Sequence, residues 1–325
     1  MPGIPAYGLV RIPGCRLQGH DDPANRREAY GGVDLDDQSI DTSQIEDRRG
    51  GGFGGLPGGG LAVGGGGLGV LGLIAVLVVN LLGGGGSGLG VNPGSNAFPG
   101  SAGGQGSAPL QPGTANETRF VTEVVNLVQR SWATQFAEAG KTYSPTKLVL
   151  FTSRTRSGCG LADASTGPFY CPADHRVYLD LGFFDELRSR LGAPGDFAQA
   201  YVIAHEFGHH VQALLGIDEQ VRQAQREHPN LENDLSVRTE LQADCFAGVW
   251  AHSAFEEGRL EPGDLEEGLG AAAAVGDDRL QRQQAGYVDP DSFTHGTSQQ
   301  RQQWFNTGYQ SGRPSACDTF GADAA

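Results

Sequence analysis

His205-Glu206-Phe207-Gly208-His209 lies inside the apolar-rich stretch Ala200 to Leu215, whose periodicity predicts a helix closed by Gly216. Residues four apart share a helix face, so the imidazoles of His205 and His209 can converge on one ion. Glu206 projects about 100° round the axis, beside that ion without being a ligand to it. Two histidine ligands, an open coordination position and a neighbouring carboxylate are the components of zinc-assisted hydrolysis. Ile203, Phe207 and Leu214 fall together on the opposite side, so the helix has a core face distinct from its ligand face. The competing reading is an exposed histidine pair on a surface helix, and the core face counts against it. His210, about 100° round from His209, is expected to pack or hydrogen-bond structurally.

A catalytic zinc needs a third protein ligand. The run Arg238 to Gly248 reads as a second helix, with Glu240 and Asp244 again at i and i+4 and with Ala247, Gly248 and Ala251 small enough for close helix packing. Glu240 is assigned as the third ligand of a His₂Glu site. Asp244 is expected to accept the free N–H of a ligand histidine and fix its tautomer. The alternative for Glu240 is an ordinary solvated carboxylate. The 31-residue separation of Glu240 from His209 leaves room for a turn and a polar connector, Asp218 to Asp234.

With both motifs in hand, the chain resembles the putative neutral zinc metallopeptidase family of bacterial membrane-anchored proteins. The matching features are IEDRRG at 45–50, SGCG at 157–160, PFYCP at 168–172 and HEFGHHVQ at 205–212. ELQADCFAGVWAH at 240–252, GDDRLQ at 276–281 and DSFTHGTSQQRQQWF at 291–305 continue the series in order. The resemblance implies a zincin-like fold and a peptidase, with Glu240 similar to the third ligand of Glu-type zincins, around one catalytic Zn²⁺. It supplies no substrate. Residues 1–44 match nothing recognisable.

Periodicity outlines the rest of a helix-dominated α+β domain with a small sheet. Helices are expected at Glu117–Glu138, Phe183–Leu191, Asp264–Ala285 and Thr297–Gly308, and strands at Lys147–Thr152 and Arg176–Leu181. Val177 to Leu181 is the candidate edge for binding an extended peptide by strand addition. His295, in the turn Ser292-Phe293-Thr294-His295-Gly296, is the candidate donor to a developing oxyanion, with Tyr287 and Tyr309 as rivals. A structural histidine in a helix-capping turn is the alternative.

Composition separates this domain, residues 117–325, from what precedes it. No charged residue occurs from 50 to 116, where glycine dominates. The apolar run from Leu61 to Leu82 would span about 33 Å as a helix, enough for a bilayer core. The expected organisation is a largely disordered cytoplasmic segment 1–60, a transmembrane helix 61–83 and a Gly/Ser/Pro-rich flexible linker 84–116. Arg48 and Arg49 before the span, with nothing charged after it until Glu117, put the N-terminus inside and the domain outside a bacterial cytoplasmic membrane, crossed once. A cleaved signal does not fit, because roughly 60 residues precede the span.

Cys15 then faces the cytoplasm, and four cysteines lie outside. Cys159–Cys171 and Cys245–Cys317 are the favoured disulfides among three connectivities; four buried thiols are the alternative. A net charge of −15 with no basic stripe excludes nucleic-acid binding as the main function. The sequence thus predicts a membrane-anchored zinc metalloendopeptidase acting on peptide or protein, with Glu206 as general base to a zinc-activated water. The alternatives are a tethered interaction module that zinc merely staples, and a zinc amidase with a non-peptide substrate.

Overall fold

The computed structural model describes residues 40–49 and 112–321. The expected transmembrane run and most of the linker lie outside these residues. Among the described residues, no helix is long and apolar enough to cross a membrane.

The domain is α+β and dominated by helices. Strand β1 (Ile45–Asp47) precedes helix α1 (Pro112–Glu138); β2 (Leu148–Phe151), β3 (Arg154–Ser157), β4 (Gly160–Asp163), β5 (Phe169–Cys171) and β6 (Arg176–Asp180) follow. The helices α2 (Gly182–Ser189), α3 (Asp196–Leu215), α4 (Ile217–Glu227), α5 (Glu232–Glu256), α6 (Asp264–Ala274), α7 (Asp277–Ala285) and α8 (Ser298–Ser311) complete it. One sheet has the order β1-β2-β6-β5, parallel except for the antiparallel β5–β6 pair, and β3–β4 is a separate hairpin. The disulfide Cys159–Cys171 ties that hairpin to β5, and Cys245–Cys317 ties α5 to the C-terminal segment. Both pairings are those expected from the sequence.

Helix α3 runs through the middle of the molecule. It is buried on every side from Ala200 to Gln212, packed between α1, α5, α6 and the sheet. Its core face is therefore only part of its buried surface. Val121, Val125 and Val128 of α1 join Trp132, Tyr201, Phe207, Phe246 and Phe305 in one core. Burial of such side chains is the main favourable term in the fold, roughly 2 kcal/mol for each large one.

Four expectations change. Val177–Leu181 is not a sheet edge, because β6 pairs with β2 on one side and β5 on the other; the edges are β1 and β5. The connector after residue 217 is mostly helix α4, which buries Ile217, Val221 and Ala224 along an otherwise polar surface. The helix expected over Asp264–Ala285 is two, α6 and α7, broken at Gly276 in an extended conformation. Part of the segment expected to be disordered, residues 45–47, forms β1, laid alongside Leu148–Leu150.

Candidate metal centre

The histidine helix and the Glu240 helix meet because position 208 is glycine. A Cβ there would lie 3.0 Å from the Ala243 carbonyl oxygen and 3.1 Å from Ala243 Cα. The close approach of α3 to α5 puts one nitrogen each of His205 and His209 and a Glu240 oxygen within 4.8 Å of one another. Glu240 Oε2 lies 3.1 Å from His205 Nε2, and Oε1 lies 3.4 Å from His209 Nε2. All three side chains are buried.

The outer nitrogens are also occupied. His205 Nδ1 meets Asp244 Oδ1 at 2.9 Å, and His209 Nδ1 meets the amide oxygen of Gln212 at 2.8 Å. Rings that donate from Nδ1 present Nε2 lone pairs, here aimed at carboxylate oxygens that are acceptors themselves. Acceptors facing acceptors need a cation or a proton between them. Ligand atoms on a tetrahedral zinc are roughly 3.3 Å apart, so this donor set fits that ion. In the metal-free protein a proton takes the place. Burial pulls His205 down, but Asp244 and Glu240 outweigh it and lift its pKa to about 9.

Asp244 is held by partners that sequence reasoning missed. Arg301 of α8, completely buried, donates from Nε to Asp244 Oδ2 at 2.7 Å and from Nη2 to Oδ1 at 2.9 Å, and the Tyr201 hydroxyl donates to Oδ1. Burial pushes the Asp244 carboxyl up, and Arg301 and His205 bring it below its ordinary value. Arg301 could have been found from its stripe, since it shares i, i+4, i+7 spacing with buried Phe305 and Gly308.

Glu206 stands beside this cluster, 2% exposed. Burial raises its pKa, while His205, His209 and the nearby Tyr170 backbone N–H of β5 oppose the rise. Its Oε1 has no hydrogen-bond partner. His210 instead bonds through Nε2 to the Ser144 carbonyl and through Nδ1 to the Tyr170 hydroxyl, and burial lowers its pKa to about 4. It is a neutral structural histidine, as expected.

His295 is buried in the turn before α8, with Nδ1 3.0 Å from Asp277 Oδ1 and Nε2 unpartnered. The structure does not bring it into hydrogen-bond contact with His205, His209 or Glu240. Of its rivals, Tyr287 is 68% exposed, and Tyr309 packs against His252 and Phe255.

Two histidines and a glutamate from two helices, each histidine held from behind, with a buried carboxylate alongside, form a cluster that could hold a metal ion in a His₂Glu arrangement. The chain belongs to the putative neutral zinc metallopeptidase family, whose model matches residues 37–320. It is 56% identical to the Escherichia coli K12 protein called "Uncharacterized protein YpfJ" over 218 residues, 67% of this chain and 76% of that one. It is 47% identical to "Uncharacterized protein Rv2575" of Mycobacterium tuberculosis over 191 residues, 55% of this chain and 64% of that one. No solved structure matches.

Proposed function

We propose that the protein is a zinc metalloendopeptidase, with zinc held by His205, His209 and Glu240. The observation that carries this reading is the pairing of that ligand set with Glu206, a buried carboxylate whose Oε1 is left without a partner. Zinc bound there supplies Lewis acidity toward a water and a scissile carbonyl. Glu206 Oε1 takes the proton of the attacking water and returns it to the leaving amine. Asp244, clamped by Arg301 and Tyr201, holds His205 in the tautomer that keeps Nε2 free. His295 is the candidate oxyanion donor, with Asp277 steadying the ring. The sheet edge beside Glu206 is β5, so β5 replaces β6 as the strand along which an extended peptide would lie.

A zinc staple would need the ligands but not Glu206. An unpaired carboxylate in the interior is costly, which favours the hydrolytic reading. The Glu206→Gln variant of the full-length chain should retain one zinc per molecule and lose cleavage of a peptide library. Undiminished, chelator-sensitive cleavage by that variant removes Glu206 from the mechanism.

Membrane attachment through residues 61–83 belongs to the same proposal, as does a location outside the cytoplasm, which the two disulfides support. The β1–β2 ladder supports an arrangement with residues 45–47 and the zinc domain on one side of the bilayer. A single crossing between them would part the two strands.

A further inference from the structure

His205 and His209 are supported differently. Behind His205 stands a carboxylate; behind His209 stands a line of neutral amides. His209 Nδ1 is 2.8 Å from Gln212 Oε1, Gln212 Nε2 donates to Gln242 Oε1 at 3.0 Å, and Gln242 Nε2 donates to the Cys317 carbonyl at 2.9 Å. Gln212 Nε2 also donates to the Thr239 carbonyl at 2.8 Å. Both glutamines are completely buried, so neither can satisfy a reversed amide with solvent.

The line has a direction. A backbone carbonyl only accepts, so Gln242 must turn its NH₂ toward Cys317 and its oxygen toward Gln212. Gln212 must then give its NH₂ to Gln242 and Thr239, which leaves its oxygen for His209. An oxygen there requires a proton on Nδ1 and leaves the Nε2 lone pair toward Glu240. The end of the line does not drift, because Cys317 is bonded to Cys245. Thr319 is also tied to Arg238, its hydroxyl donating to the Arg238 carbonyl at 2.7 Å and its own carbonyl accepting from Arg238 Nη1 at 3.0 Å.

We infer that the C-terminal segment Cys317–Thr319 acts through Gln242 and Gln212 to select the nitrogen that His209 offers to a metal. Both glutamines are positioning residues, and neither touches substrate. The inference rests on reading His205, His209 and Glu240 as metal ligands, but not on the peptidase activity.

The test compares full-length wild type with Gln212→Met and Gln242→Met, measuring zinc affinity by chelator competition. Imidazole N–H resonances of ¹⁵N-histidine-labelled, zinc-loaded protein provide the second readout. Wild type should show slowly exchanging Nδ1–H signals for both His205 and His209. Gln212→Met should lose the His209 signal, keep the His205 signal, and bind zinc about 10- to 100-fold more weakly. Gln242→Met leaves Gln212 with the Thr239 carbonyl, so its loss should be smaller, about 3-fold or more. An intact His209 signal with affinity within 2-fold of wild type in Gln212→Met overturns the inference. Wild-type behaviour of Gln242→Met removes the C-terminal segment from it. Failure of wild type to bind zinc sinks the ligand assignment instead, a distinguishable result.

Discussion

Asp277 shows how much one carboxylate can organise. Its Oδ2 accepts the backbone N–H groups of Thr294, His295 and Gly296 at 2.8, 2.6 and 3.1 Å, while Oδ1 faces the His295 ring. Burial pushes this carboxyl up, but the His295 ring and the N–H groups of His295 and Thr294 win and hold it below its ordinary value. A carboxyl lowered in the folded state contributes stability above its unfolded pKa, and that contribution fades as pH falls through the lowered folded value. Asp277→Asn should therefore cost about 2 kcal/mol at pH 7. The gap to wild type should narrow below about pH 4. Urea unfolding of both proteins at pH 7 and pH 3 checks this; an equal gap at both pH values contradicts it. The role of Asp277 was not legible from its neighbours in sequence, and Arg301 carried only the signal of its spacing with Phe305 and Gly308. Arg301 sits in the polar run Gln299-Gln300-Arg301-Gln302-Gln303, and its burial is explained only by Asp244 arriving from another helix.

Helix packing sets the geometry around the site. Helices α5 and α8 touch through paired glycines. A Cβ on Gly308 would lie 1.9 Å from the Cys245 carbonyl oxygen, and one on Gly248 would lie 2.0 Å from that of Phe305. Neither overlap can be relieved by turning a side chain, since both obstacles are backbone. Gly308→Ala should cost about 3 kcal/mol, because the helices must separate. In separating they would draw Arg301 away from Asp244. Thermal melts of the variant should show the loss, and an unchanged midpoint would mean that the contact is looser than described. Helix α1 was legible from its apolar periodicity, and α3 and α5 from the four-residue spacing of His205 with His209 and of Glu240 with Asp244. The strands β1, β3, β4 and β5, each 3 or 4 residues long, are too short for alternation to register. Helix α4 was missed because three buried apolar residues on a polar helix resemble a connector.

At the scale of the molecule, the docking of residues 40–49 has the widest consequence. Asp41 and Asn126 exchange hydrogen bonds, Gln129 donates to Gln44 at 2.7 Å, and Arg48 donates to the Arg156 carbonyl at 2.8 Å. These contacts join the segment to α1 and to the β3–β4 hairpin as well as to the sheet. Cysteines placed at Ser43 and at Ala133, both exposed, in a Cys15→Ser background should respond alike to a membrane-impermeant maleimide on intact cells. Labelling of one with protection of the other until lysis would separate β1 from the domain. The charge asymmetry around the apolar run pointed to opposite sides, since it weighs only Arg48 and Arg49. Those arginines are engaged within the fold, Arg49 through Asp47 and Arg48 through Glu46 and the hairpin.

The sequence by itself pointed to the helical type of the domain, to His205, His209 and Glu240 as one cluster with Asp244 behind a histidine of it, and to the two disulfide pairings as the favoured ones. Four-residue spacing is a local property of a helix, so two short motifs were enough to bring the cluster into view. Tertiary structure alone decided the sheet order, the capture of residues 45–47, the charge on Arg301 that steadies Asp244, and the amide line from Cys317 to His209. Each of these joins chain segments far apart in sequence, and which polar groups become buried together depends on how the helices pack.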